Sequence, residues 1–175
     1  VAEVLFGDYN PAGKLPVTFY RNVSQLPDFE DYNMAGRTYR YMQDVPLFPF
    51  GYGLSYTTFG YGKTVLDKNE LTAGQSLKLT VPVTNTGKRN GEEVVQVYLR
   101  KQGDAEGPIK TLRAFKRVSI PAGKTVNVEF DLKDKELEWW DDQSNTVRVC
   151  PGNYDIMVGG SSKEEDLQRT TIAIK

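Results

Sequence analysis

A mainly β protein, an immunoglobulin-like or fibronectin-III-like β-sandwich, is predicted by three features of the sequence. From about residue 60 apolar and polar residues alternate with a period of two, the mark of strands with one buried face. The alternating stretches number about seven over about 100 residues, the size and count of such a sandwich. Clusters of Gly, Pro and Asn separate them, each suited to a tight turn.

Residues 1–59 precede the alternation and are irregular. Val1 to Gly7 reads as the last turns of a helix closed by a glycine. Asn10-Pro11-Ala12-Gly13 is a turn, followed by a short extended run from Leu15 to Tyr20. Residues 21–36 are polar and without period, hence loop. Gly36 to Met42 alternates briefly, and Pro46 to Tyr56 mixes proline, glycine and aromatics too densely for a helix or central strand. That segment is expected to be an ordered connector laid over a surface. Its apolar side chains each gain about 1.5 to 3 kcal/mol on burial. It should therefore pack on the sandwich and leave an apolar patch on its far side, open to self-association.

Residues 60–175 form the predicted sandwich domain. The first strand is expected near Tyr61 to Leu66. In the next, Leu77, Leu79, Val81 and Val83 line one face, and Asn85-Thr86-Gly87 turns the chain. Val95, Val97 and Leu99 then share a core face opposite Gln96, Tyr98 and Arg100. Leu112 to Ile120 gives a further strand. Pro121-Ala122-Gly123-Lys124 turns into Val126, Val128, Phe130 and Leu132, and Asp134 to Leu137 hints at one helical turn. Pro151-Gly152-Asn153 introduces Tyr154, Ile156 and Val158, and Ile172 and Ile174 mark the last strand. Tyr154 after a Pro-Gly turn resembles a tyrosine corner, whose hydroxyl bonds nearby backbone.

Composition excludes several classes of function. The 22 Lys and Arg nearly cancel the 23 Asp and Glu, leaving a net charge of -1, so no basic field exists to capture nucleic acid or anionic lipid. No apolar run approaches the roughly 20 residues of a membrane helix. With 0 His, triads built on imidazole and the commonest metal sites are absent, and neither metal nor cofactor is expected. Cys150, alone, cannot form an internal disulfide and reads as a buried, inert thiol. Opening on Val1 inside a helix remnant, the chain reads as a piece of something longer.

Several segments, in this order, resemble the C-terminal part of glycoside hydrolase family 3. Val4 to Phe19, containing Asn10-Pro11-Ala12-Gly13-Lys14-Leu15-Pro16, is similar to the stretch closing that family's second domain, an α/β sandwich. Arg37-Thr38-Tyr39-Arg40-Tyr41 and Pro46-Leu47-Phe48-Pro49-Phe50-Gly51-Tyr52-Gly53-Leu54-Ser55-Tyr56 resemble its connector into the third domain. Gly91 to Tyr98, Pro151 to Tyr154 and Gly159 to Ser162 are similar to its fibronectin-III-like domain. The irregular residues 1–59 are then the tail of the α/β sandwich domain plus the connector. The resemblance implies a retaining, exo-acting β-glycosidase whose nucleophilic aspartate and acid/base glutamate both lie upstream. No catalytic residue falls in this chain. Its partners would be the upstream catalytic domains, with β-linked substrate reached only through them. A periplasmic or secreted location is favoured by the family alone.

The substrate-binding candidates are Arg37, Tyr39, Arg40 and Tyr41, which either reach toward a sugar pocket or serve interdomain packing. Glu92 and Glu93 are neighbours on a strand, point to opposite faces and read as solvated charge, as do Asp141-Asp142 and Glu164-Glu165-Asp166. Trp139-Trp140 is either a sugar platform or, by aromatic burial, a core plug with a loop cover. The plug reading predicts no strong carbohydrate affinity and a stability cost for Trp140→Ala. Asn22-Val23-Ser24 matches a glycosylation sequon, and Gly159 to Ser162 reads as a turn rather than a phosphate loop. A freestanding binding or adhesion module is the alternative function, and residues 1–59 argue against it.

Overall fold

The computed structural model describes residues 1–175. Helices α1 (Ala2–Phe6) and α2 (Thr38–Tyr41) lie in the N-terminal segment. Then follow β1 (Phe59–Tyr61), β2 (Val65–Leu66), β3 (Glu70–Leu71), β4 (Leu77–Asn85), β5 (Gly91–Lys101), β6 (Thr111–Ile120) and β7 (Thr125–Leu132). After the single turn α3 (Asp134–Leu137) come β8 (Trp139–Asp141), β9 (Thr146–Arg148), β10 (Gly152–Gly159) and β11 (Gln168–Ile174).

Two sheets face one another, as the alternation predicts. In the first, β4 pairs antiparallel with β7 along one edge and with β1 and β2 along the other. The second runs β3-β11-β10-β5-β6, antiparallel except where β3 joins β11 in parallel. Leu77, Leu79, Val81 and Val83 of β4 meet Val95, Val97 and Leu99 of β5 and Ile156, Val158, Ile172 and Ile174 in one core of 20 buried residues. Every one of these positions is in phase with the period of two, so the sequence pattern and the buried face are the same set.

The structure corrects several expectations. The stretch from Tyr61 to Leu66 is two short strands, β1 and β2, laid end to end on β4. The alternation from Gly36 to Met42 becomes the helical turn α2, too short a run for a period to decide. The hairpin β8–β9 has no counterpart in the sequence reading, being three residues on each side. Gln96 and Tyr98, placed by the alternation opposite Val95, Val97 and Leu99, are buried as well, so β5 is covered on both faces.

Other readings hold. Gly7, at φ 83, closes α1 in the left-handed region that glycine enters without strain. Tyr154 is enclosed, and its Oη donates to Cys150 O at 2.9 Å, the hydrogen bond of a tyrosine corner. Removal from water pushes the Tyr154 hydroxyl well above its ordinary pKa, so it stays a donor. Cys150 is free and buried.

The tryptophans divide as a core plug and an exposed ring, but Trp139 is the plug. It is 3% exposed, donates Nε1–H to Asp104 Oδ2 at 2.6 Å and meets the Tyr154 ring edge-on at 6.1 Å. Trp140 is 49% exposed and bonds only to Asp142. Hence Trp139→Ala is expected to cost about 3 to 5 kcal/mol in urea denaturation. Trp140→Ala should stay within about 0.5 kcal/mol of the parent chain; a loss above that, comparable to the Trp139 variant, would put the second ring in the core as well.

Candidate functional site

The four substrate-binding candidates fall on the seam where the N-terminal segment crosses the outer face of the five-stranded sheet, and that seam is the candidate site. That face carries Gln96, Tyr98, Asp155 and Met157, all buried. Leu15 and the connector hold each other first: Leu15 N donates to Tyr52 O and Gly51 N to Leu15 O, both at 2.8 Å. Phe19 and Phe48 pair as an isolated bridge with their rings edge to face. The two-layered strap then docks, with Ser162 N donating to Phe50 O at 2.8 Å and Ile109 N to Arg40 O at 2.7 Å.

Gly51 sits where only a glycine fits. It has φ 80, and a Cβ there would fall 2.3 Å from Gln96 Oε1. Gln96 accepts from Tyr98 Oη and donates to Gly160 O, both at 2.5 Å, so its amide is fixed beneath the strap. At the far end of the connector, Thr57 Oγ1 donates to Asn85 Oδ1 at 2.5 Å, and Asn85 Nδ2 donates to Arg89 O and Ile120 O. Asn85, read from sequence as a turn residue, is a fully enclosed pin between connector and sandwich.

The four candidate residues lie together at the other end of this seam. Tyr39 stacks on Phe50 with centroids 4.3 Å apart, meets Tyr98 edge-on at 5.8 Å, and its Oη accepts from Leu112 N at 3.1 Å. Arg40 lies 5.7 Å from the centroid of the Tyr41 ring, with its Nε enclosed and unpartnered. Arg37 Nε donates to Asn33 O at 2.7 Å and tethers the preceding loop. Thr38 between them has φ 55, a strained conformation for a β-branched residue, costing on the order of 1 to 3 kcal/mol. Burial and the neighbouring Arg40 charge lower the Arg113 pKa on the sheet beside them.

Glu93 corrects the reading of the adjacent carboxylates as solvated charge. It does point away from Glu92, but inward, in phase with Val95, Val97 and Leu99, and it is buried at the mouth of the sandwich. Lys14 Nζ reaches it at 2.9 Å, with side-chain exposures of 19% for Lys14 and 7% for Glu93. Tyr61 Oη is enclosed nearby, and desolvation first, then the Glu93 charge, raises its pKa. A Cβ on Gly160 would meet Glu93 Oε1 at 3.0 Å and Tyr61 Oη at 3.2 Å. The signal was present in the sequence: a charged residue on a core phase needs a partner, and Lys14 of the Gly-Lys-Leu-Pro turn supplies it.

Of the other adjacent carboxylates, Asp141, Glu164 and Glu165 are tied to cations. Asp141 accepts from Ser144 Oγ at 2.6 Å and Arg148 Nε at 2.7 Å, closing the β8–β9 hairpin. Glu164 receives Lys110 Nζ at 2.7 Å and pairs with Arg169. Asn22 Oδ1 caps a short 3-10 turn by accepting from Ser24 N. Gly159 to Ser162 is the turn leaving β10, with no helix behind it long enough to hold a phosphate. No group of three or more His, Cys, Asp or Glu residues is placed to hold a metal ion. No helix is long and apolar enough to cross a membrane.

Two family models match the chain. One describes a fibronectin type III-like domain over residues 93–162, and the other the glycosyl hydrolase family 3 C-terminal domain over residues 1–56. A xylan 1,4-β-xylosidase of Xylanibacter ruminicola is 53% identical over 99% of this chain and 20% of its own length. A β-xylosidase of Formosa agariphila is 43% identical over 100% of the chain and 25% of itself. Among solved structures, a β-glucosidase from Erythrobacter marinus superposes with a TM-score of 0.83 at 40% identity, covering 99% of this chain and 23% of that one. The chain thus spans 20% to 25% of the length of these curated relatives.

Two measurements probe the seam. Glu93→Gln leaves the Lys14 ammonium without its counter-charge and should cost about 3 kcal/mol, the lower end for a buried pair because Lys14 keeps some water. Lys14→Met with Glu93→Met should recover most of it, and a double-mutant cycle showing no coupling would remove the pair from the seam. The second concerns Asp141, whose carboxyl is held down to about 2 by Ser144 and Arg148. A carboxylate with a depressed folded pKa stabilises above its unfolded value of about 3.9 and loses that contribution as the pH falls towards the folded value. Carboxyl NMR should therefore show Asp141 titrating near about 2. Arg148→Ala should move it up toward the ordinary range.

Proposed function

Since the chain belongs to glycoside hydrolase family 3, as its C-terminal region, we propose that it is the bracing part of a retaining, exo-acting β-glycosidase and is not itself catalytic. The observation that carries this reading is the strap. Its inner side is spent on the sheet, through Tyr39, Phe50 and Gly51, while Leu47 at 51% and Leu54 at 71% stay exposed on the strap, as does Phe6 at 85% on α1, which Tyr56 Oη ties to the connector through Val4 O. A segment anchored on one side and apolar on the other is built to be covered by a further body of protein. In relatives four-fifths to three-quarters of the length lies outside the matched region, room enough for that body.

Hydrolysis with retention needs two carboxyl groups about 5 to 5.5 Å apart across a sugar pocket, one ionised and one protonated. Three acidic side chains of the adjacent runs fail that demand. Glu93 is neutralised by Lys14, Asp141 by Arg148, and Glu164 by Lys110 and Arg169. The upstream domains would supply the nucleophile and the acid, and this chain would hold them in register. Arg37, Tyr39, Arg40 and Tyr41 serve that holding by setting the strap on the sheet. Residues 1–59 act as connector and residues 60–175 as the sandwich it lies on.

The isolated chain should release no nitrophenol from aryl β-xylosides or β-glucosides, and its mass in sedimentation should rise with concentration. Phe6→Ser with Leu54→Ser should abolish the association while leaving the melting temperature of the isolated chain unchanged. Placed in a full-length relative, the same pair should lower its melting temperature. Turnover by the isolated chain, or a full-length protein indifferent to the pair, would defeat the bracing reading.

A further inference from the structure

The strap and the sheet do not close on one another everywhere. Between them lies a cavity of about 680 Å³, inside the roughly 300 to 1,000 Å³ range of small-molecule sites. Its roof is the strap, through Thr18, Asp44, Leu47 and Tyr52, and its floor is the sheet and the turn after β10, through Arg100 and Asp166. The lining holds four cationic side chains, Arg21, Arg100, Lys110 and Lys163, against four anionic ones, Asp44, Glu164, Glu165 and Asp166. The charges balance, which disfavours a net anion or cation as the occupant.

Several of these groups are already satisfied. Lys110 donates to Ser162 O at 2.8 Å and to Glu164, and Lys163 lies 3.6 Å from Glu165. Others are free: Arg100 and Asp44 enter none of the ion pairs. The cavity therefore offers an unspent forked donor and an unspent acceptor, set beside the Tyr52 ring and the Leu47 side chain. A molecule whose every polar group both donates and accepts, and whose ring faces are C–H, matches that set better than a purely charged or apolar one.

We propose that this cavity binds a neutral saccharide of one or two rings, with Arg100 and Asp44 bonding its hydroxyls and Tyr52 packing on a ring face. The site is made by the strap and sheet together and does not depend on the bracing role. Trp139-Trp140, the pair weighed from sequence as a sugar platform and favoured as a core plug, gave the expectation of no strong carbohydrate affinity. The cavity lies elsewhere, on residues that the period of two cannot bring together.

The test is titration of the full 175-residue chain with cellobiose and with xylobiose, followed by NMR and calorimetry. Saturable binding with Kd of about 1 mM is expected. Arg100→Ala and Asp44→Ala should each weaken it at least about tenfold, the loss of one good hydrogen bond, with Trp140→Ala unchanged. Asp44 is exposed, so its variant should keep the fold even if the Arg100 variant does not. Inorganic phosphate should neither bind nor compete. Failure of both disaccharides to saturate below about 10 mM, competition by phosphate, or affinity indifferent to both substitutions would each overturn the proposal.

Discussion

The five-stranded sheet has two faces that must be kept from water, and the rest of the structure follows from covering the second. Its inner face is ordinary sandwich core. Its outer face carries Tyr98 and Met157, both fully enclosed, with Gln96 and Asp155 between them. Exposing two large side chains on a flat sheet would forfeit about 1.5 to 3 kcal/mol each, and would leave a broad apolar surface. The N-terminal segment is the cover. Its glycines permit close approach, its aromatics fill the space over Tyr98, and its backbone takes hydrogen bonds from Ser162 and Ile109.

Polar groups set the position of that cover along the sheet. Apolar contact alone is non-directional, and a strap held only by Phe50 and Tyr39 could slide. Lys14 on Glu93, Gln96 under Gly51, and Thr57 on Asn85 are three fixed points, each demanding its own partner because an unpaired buried polar group is costly. Asp155 belongs to the same logic at the sheet's other end, accepting from Gln102 Nε2 at 2.6 Å and Thr171 Oγ1 at 3.1 Å.

What the sequence disclosed and what it hid divide along this line. Period-two alternation is a property of neighbours in one strand, so it located β4, β5, β7 and β10 and their core faces, and Tyr154 announced its own corner. It failed where burial comes from a distant segment. Gln96 and Tyr98 look like solvent-facing residues until the strap arrives from more than 40 positions earlier. Glu93 was misread as solvated for the same reason, although its phase with Val95 was visible. The seam candidates Arg37 to Tyr41 were legible as a group, but their geometry was not, since α2 is a single turn and Thr38 takes a conformation no propensity would assign.

The parallel pairing of β3 with β11 has a bearing on how such a chain comes off the ribosome. Leu71 lies beside Ile174, so the five-stranded sheet cannot be completed until the chain has been synthesised that far. At roughly 5 to 20 residues per second, the strap emerges on the order of 6 to 20 s before the surface it is meant to cover exists. During that interval its aromatic side chains lack the finished sheet face on which they pack. Elongation rate and chaperone access thereby become determinants of yield for a module whose finished form gives no hint of the delay.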